Sequence, residues 1–144
     1  MTKAFSLLEL LIVIATISIV LTFAIPKFSN ITSTSKITEL KSNLAIIRNG
    51  INKFKTNQIL LAEDSNILSL DSALVDKKNE PLFTKVIDFS LLSTTSSLNE
   101  LGKWIKTSLT TYEYIISSSK KVVFTLEDNS FKCKSSFEIC KEIE

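Results

Sequence analysis

The sequence predicts an α+β protein, with a long kinked N-terminal helix packed by its second half on a small antiparallel C-terminal sheet. Three observations predict it. Residues 5–25 hold a single charged residue, Glu9, and are otherwise apolar or hydroxylic. Beyond them Ile37, Leu40, Leu44, Ile47, Ile51 and Phe54 recur at spacings of three and four, one stripe on a helix. In the last third Tyr112, Tyr114 and Ile116, then Val122, Phe124 and Leu126, recur at every second position, as half-buried strands do. With 144 residues the chain makes one domain plus an anchor, large enough for a modest core.

The first element carries the most information. A helix over residues 5–25 rises about 30 Å, the thickness of a bilayer's hydrocarbon core. Length and composition therefore read as a membrane span, and they leave Glu9 unexplained. An acidic side chain costs about 2.5–3.5 kcal/mol at mid-membrane and less near the ends, so such a residue is a functional candidate. Two plain readings stand beside this one. A secretory signal peptide accommodates Met1, Lys3, the apolar run and, as a poor cleavage site, Thr22-Phe23-Ala24, but not a carboxylate inside the apolar region. A simple signal anchor would have Glu9 solvated by headgroups.

Ala4-Phe5-Ser6-Leu7-Leu8-Glu9-Leu10, the apolar run after them and Ile25-Pro26-Lys27-Phe28 together resemble the N-terminus of the type IV pilin and type II secretion pseudopilin family. The resemblance covers the first 28 or so residues. It implies a pilin-like fold and cleavage by a prepilin peptidase between Ala4 and Phe5, followed by methylation of the new Phe5 amine. Glu9 then falls at the assembly glutamate, and Pro26 at the proline near the end of the span. Ala4 stands where the family usually has glycine, and Ser18 where many members carry a mid-span glycine. By this resemblance residues 1–4 are a leader, 5–27 a transmembrane and assembly helix, and 28–144 a periplasmic or extracellular globular domain. The physics suits the motif. Cleavage leaves a cationic amine on Phe5, and pairing it with Glu9, most simply between neighbouring subunits, removes the penalty of a carboxylate in oil.

Past the span the pattern turns amphipathic. Lys36, Glu39, Lys41, Arg48, Asn49, Lys53 and Lys55 fall largely outside the stripe. Pro26 deletes one backbone donor and is expected to bend the helix without ending it. Gly50 weakens the helix by about 1 kcal/mol relative to alanine, too little to break so strong a period. Lys53 and Lys55 complement the dipole at the helix end. One helix is expected over residues 5–57, roughly 80 Å long. Its stripe covers fewer than the three or four heptads that a coiled coil requires, so it is assigned to packing against the chain's own strands.

Residues 58–79 are less periodic and are expected to connect, with a short helix or strand piece. Pro81 introduces residues 82–89, a strand or a buried turn, and the Ser/Thr-rich residues 93–97 read as a surface loop. Three strands close the chain: one through Tyr112, Tyr114 and Ile116, one through Val122, Phe124 and Leu126, and one beginning Phe131-Lys132-Cys133. Glu127-Asp128-Asn129-Ser130 is the turn between the last two. Trp104, Tyr112 and Tyr114 admit two readings, a stacking platform for bases or sugars and a cover over the helix stripe; the second is favoured.

Cys133 and Cys140 are the only cysteines, and there is no histidine. Zinc sites normally take four ligands, and the spacing is not that of a C-x-x-C redox pair. In an oxidising compartment a disulfide follows, closing a short loop for about 2.5 kcal/mol by the chain-entropy estimate. A C-terminal disulfide loop is also part of the family pattern, where it helps form an exposed surface; here it reads first as a staple.

Seventeen basic and 15 acidic residues leave the chain near neutral, and Arg48 is the one arginine. That argues against nucleic acid and dedicated phosphate recognition. Without histidine there is no Ser-His-Asp, Cys-His or His–metal arrangement, and with only Gly50 and Gly102 there is no phosphate loop. The paired carboxylates Glu63-Asp64 and Glu127-Asp128 fall in polar turns. No enzyme activity and no cofactor are expected. The resemblance implies a single-pass inner-membrane protein with a periplasmic domain, later part of a pilus or pseudopilus. Its partners would be membrane lipid, prepilin peptidase, an inner-membrane assembly platform, other pilins or pseudopilins and copies of itself. A minor pilin that binds DNA or a surface is the alternative, and an uncut bitopic protein a third reading.

Overall fold

The stripe at three-four spacing and the aromatic residues of the C-terminal strands find each other, and the fold is arranged around that contact. The computed structural model describes residues 6–143, apart from the side chains of Pro26, Phe28, Ser29 and Asn30. Ala4 and Phe5, where cleavage is expected, lie outside the described residues. The chain divides into two units, Met1–Ser35 and Lys36–Glu144. Helix α1 (Leu7–Leu60) contributes to both and passes through Pro26 as helix. It ends three residues beyond the expected 57, on Ala62 in the left-handed region (φ 55°). There the Glu63 N–H reaches the Gln58 carbonyl at 2.9 Å and the Ala62 N–H that of Ile59 at 3.1 Å, satisfying carbonyls the helix leaves open.

In the second unit Leu40, Leu44, Ile47 and Ile51 are buried, with Ile37 and Phe54 packed at the edge of the same cluster. Facing them is an antiparallel meander of β3 (Trp104–Lys106), β4 (Thr111–Ser117), β5 (Lys120–Glu127) and β6 (Ser130–Cys133), in that spatial order. The β4 and β5 alternations expected from sequence are the buried ones, and Trp104, Tyr112 and Tyr114 are all buried with the stripe. They are core, not a surface stacking platform. A register shift falls between Ile115 and Ser117; Ile116 joins the core cluster, and Ile115 is buried outside it. Asp128 and Asn129, at φ 51° and 56°, make the two-residue turn between β5 and β6.

Several expectations change. Residues 61–79 form neither helix nor strand. They are held by long-range bonds instead: the Asn129 side chain accepts from the Ile67 N–H at 2.7 Å and donates to the Ser65 carbonyl at 2.9 Å. Of residues 82–89 only the start is strand, as β1 (Pro81–Leu82) pairs with β2 (Leu91–Leu92); the rest is a turn that buries Phe83, Val86 and Ile87 and exposes Thr84, Lys85, Asp88 and Phe89. Phe83 adopts φ 61° there, an unfavourable conformation for an aromatic residue. In return its ring enters the core, with centroids 4.7 Å from Tyr112 and 5.3 Å from Trp104.

The loop at residues 93–97 was expected on the surface, yet Ser93 and Thr94 are buried. Their hydroxyls are satisfied locally: Ser93 accepts from the Glu80 N–H at 2.9 Å, and Thr94 donates to Glu100 at 2.6 Å. Strand β3 and helix α2 (Phe137–Ile143) were not anticipated. Each is too short to develop a period of its own.

Cys133, ending β6, and Cys140, in α2, form the expected disulfide, with Cα atoms 5.8 Å apart. Its removal as Cys133→Ser/Cys140→Ser is expected to lower unfolding free energy by about 2.5 kcal/mol. Urea denaturation of the oxidised protein against the double variant reads this directly.

Candidate functional site

Two places in the chain set a charged side chain among apolar residues. The first is the start of α1. Residues Leu7–Ile25 are long and apolar enough to cross a membrane, by length and composition, and a signal sequence passes the same test. The side chains along this segment are exposed rather than packed on the chain. The hydroxyls within it are internally satisfied, which suits them to hydrocarbon: Thr16 donates to the Val13 carbonyl at 2.9 Å, Ser18 to Ile14 at 2.8 Å and Thr22 to Ser18 at 2.9 Å. Glu9 sits in the first turn, exposed, where the positive end of the helix dipole favours a carboxylate by about 0.3–1 kcal/mol. That is less than the cost of placing it at mid-membrane. Pro26 lies about five turns further along the same helix.

The second place is inside the Lys36–Glu144 unit, and sequence reasoning missed it. Lys106 and Tyr112 are register partners on β3 and β4, so both point to the core face of the sheet. Over them lies Asp71, from the irregular segment. The Lys106 ammonium meets Asp71 Oδ1 at 2.6 Å, with side-chain exposures of only 2% and 0%. Lys106 Nζ also donates to the Ala73 carbonyl at 2.9 Å. Asp71 Oδ1 accepts the Ala73 N–H at 3.1 Å, and Oδ2 accepts the Phe83 N–H at 2.9 Å and the Tyr112 hydroxyl at 2.8 Å. Four donors therefore surround one carboxylate. Burial, and then the Asp71 charge, push the Tyr112 phenol well above its ordinary value, so it stays a hydrogen-bond donor. Nothing local announces this centre: Asp71 sits in a polar-looking stretch, and Lys106 lies 35 positions away.

Around the centre, three carboxylates, one exposed and two half-buried, tie the connecting segments together. Asp76 accepts from the Ser96 N–H at 2.6 Å and its hydroxyl at 2.8 Å. Glu80 pairs with Lys77 at 2.8 Å, and Glu100 with Lys78 at 2.6 Å. Each is held below its ordinary value, first by the Ser96 N–H, the Lys77 ammonium and the Lys78 ammonium respectively. A lowered carboxylate contributes stability above its unfolded value and loses it as pH falls through the folded one. Acidification below about pH 4 is therefore expected to raise amide exchange in residues 71–80 and 93–100 before β4 and β5 lose protection. Hydrogen exchange at stepped pH measures the order.

Beside α1, an open groove of about 400 Å³ is lined by Arg48, Asn52, Asn129, Phe131 and Lys132 among others. Arg48 Nε donates to the Phe131 carbonyl at 3.2 Å, covering part of the β6 edge. Among the described residues no group of three or more His, Cys, Asp or Glu is placed to hold a metal ion.

Of the residues singled out from sequence, Cys133 and Cys140 are brought together, Glu9 and Pro26 share α1, and Ala4 and Phe5 fall outside the described residues. No protein-family model, curated protein or solved structure matches the chain.

Proposed function

We propose that this chain is a structural subunit of a type IV pilus-like filament or a type II secretion pseudopilus. It is cut by a prepilin peptidase between Ala4 and Phe5, methylated on Phe5 and polymerised through its N-terminal helix. The observation that supports this reading is Glu9, a carboxylate inside an apolar helical segment whose side chains are uncovered. A span that only anchors needs no carboxylate. A span that must settle at one axial stagger against copies of itself gains from one, because only the register that brings a Phe5 amine to Glu9 leaves no charge unpaired. The chain would wait in the inner membrane with its disulfide-bonded domain on the periplasmic side. Burial of the helix among neighbouring helices would then supply cohesion, with the sheet-bearing domains outside.

Intact mass and N-terminal sequencing of membrane and sheared-surface material test the processing step. A methylated Phe5 start supports the reading; a Met1 or Ile25 start overturns it. Glu9→Ala is expected to insert and be cleaved normally, yet enter filaments about tenfold less or worse, the cost of leaving the partner amine unpaired in a dry interface. Wild-type incorporation of that variant would remove the pairing role.

A further inference from the structure

The Asp71 centre has more built into it than an ion pair needs. Lys78–Glu100 and Lys120–Glu142 meet at the same 2.6 Å, but both are substantially exposed, and water keeps such pairs charged and labile. Lys106 and Asp71 are sealed from water, and both carboxylate oxygens and the ammonium are held by named partners. We propose that Lys106 and Asp71 condense into an isopeptide bond, an intramolecular cross-link between β3 and the connecting segment. It stands independently of the filament reading.

The chemistry balances without a co-reactant. A proton passes from the ammonium to Asp71 Oδ1 across the 2.6 Å contact, giving the neutral amine and the carboxylic acid that the reaction needs. Lys106 Nζ then attacks Asp71 Cγ, and the charge that gathers on Oδ2 is met by the Phe83 N–H at 2.9 Å and the Tyr112 hydroxyl at 2.8 Å. Those two donors form an oxyanion hole already in place before reaction. On collapse the bond from Cγ to Oδ1 breaks, and Oδ1 takes a second proton from nitrogen and leaves as water. One carbon–nitrogen bond has formed, one carbon–oxygen bond has broken, and nothing is oxidised or reduced. The remaining amide N–H keeps the Ala73 carbonyl as its acceptor, while Oδ2 keeps both donors. The fold supplies the proximity that makes an unactivated carboxylate react.

Mass spectrometry of the purified full-length protein decides the matter. A chain lighter by one water, with a digest fragment joining the peptides that carry Asp71 and Lys106, is the expected result. The digest reads the link whatever has happened at the N-terminus. Lys106→Met removes the nucleophile and is expected to show no such loss. Tyr112→Phe removes one oxyanion donor and is expected to slow closure by about a hundredfold, leaving open chain in freshly made protein. Wild-type protein aged after folding that still has its full mass, with Asp71 and Lys106 on separate peptides, would overturn the proposal. So would water loss that maps instead to the exposed pairs.

Discussion

Asp71→Ala is expected to lower the unfolding free energy of the Lys36–Glu144 unit by about 3–5 kcal/mol, the range for a buried ion pair that loses one partner. The Lys106 ammonium, 2% exposed, would keep only the Ala73 carbonyl as an acceptor. The Phe83 N–H and the Tyr112 hydroxyl would lose theirs as well. Against a typical total of about 5–15 kcal/mol, that brings a small domain close to unfolding. Lys106→Met is expected to cost less, because Asp71 would retain three neutral donors, from Ala73, Phe83 and Tyr112. Replacing both residues with apolar ones recovers part of the loss, since no uncompensated charge then remains. Urea denaturation followed by the fluorescence of Trp104, the one tryptophan, gives all three values. A loss under about 1 kcal/mol for Asp71→Ala would show that water reaches the site. In chain that has closed as an amide, each of these variants also removes a covalent loop, whose restriction of the unfolded state stabilises by about 4 kcal/mol in the chain-entropy account.

Gly50→Ala is expected to destabilise, against the ordinary preference of a helix. Alanine is favoured over glycine inside a helix by about 0.8–1 kcal/mol. At this position a Cβ would overlap the Val86 carbonyl and come within 3.1 Å of Ile87 Cγ2. The overlapping atom is backbone, and its turn has little freedom to withdraw. The Lys85 N–H is bonded to the Leu70 carbonyl at 3.0 Å, the Ile87 N–H to that of Phe83 at 3.1 Å, and the Phe83 N–H to Asp71. A net loss of about 1–3 kcal/mol is expected, with Gly50→Val worse. Asn49→Ala, one position earlier on an exposed face, keeps the helix and makes no such contact. It should gain a few tenths of a kcal/mol by propensity. If Gly50→Ala were equally stabilising, the turn at residues 83–90 would not be seated on α1 as the structure has it.

These two sites show where reading the chain ran out. Leu40, Leu44, Ile47 and Ile51 were legible because apolar residues at helical spacing mark a buried face whatever covers it. Tyr112, Tyr114, Val122 and Phe124 were legible for the same reason at period two. The role of Gly50 was not, because the reason for a missing side chain is the Val86 carbonyl. Lys106 carries no local mark of burial, and Ser93 and Thr94 look like surface loop; that reading of the loop failed because burial of a polar group depends on partners elsewhere. The proposed assembly motif is the opposite case. It rests wholly on residues 4–28, and the structure adds an exposed helix from Leu7 with Glu9 in its first turn.

By itself, the sequence determined the long helix, its apolar and amphipathic halves, the β4–β5–β6 hairpins and the pairing of two cysteines. Each is a matter of local period, turn chemistry or elimination. Only the tertiary structure decided that an aspartate from an irregular segment meets a lysine 35 positions away beneath a sheet, and that a helix glycine seats a backbone turn. The physical reason is one of range. Apolar patterning is written within a few residues along one element, whereas the satisfaction of a buried charge, or of a backbone in close approach, is written between elements and exists only once they have met.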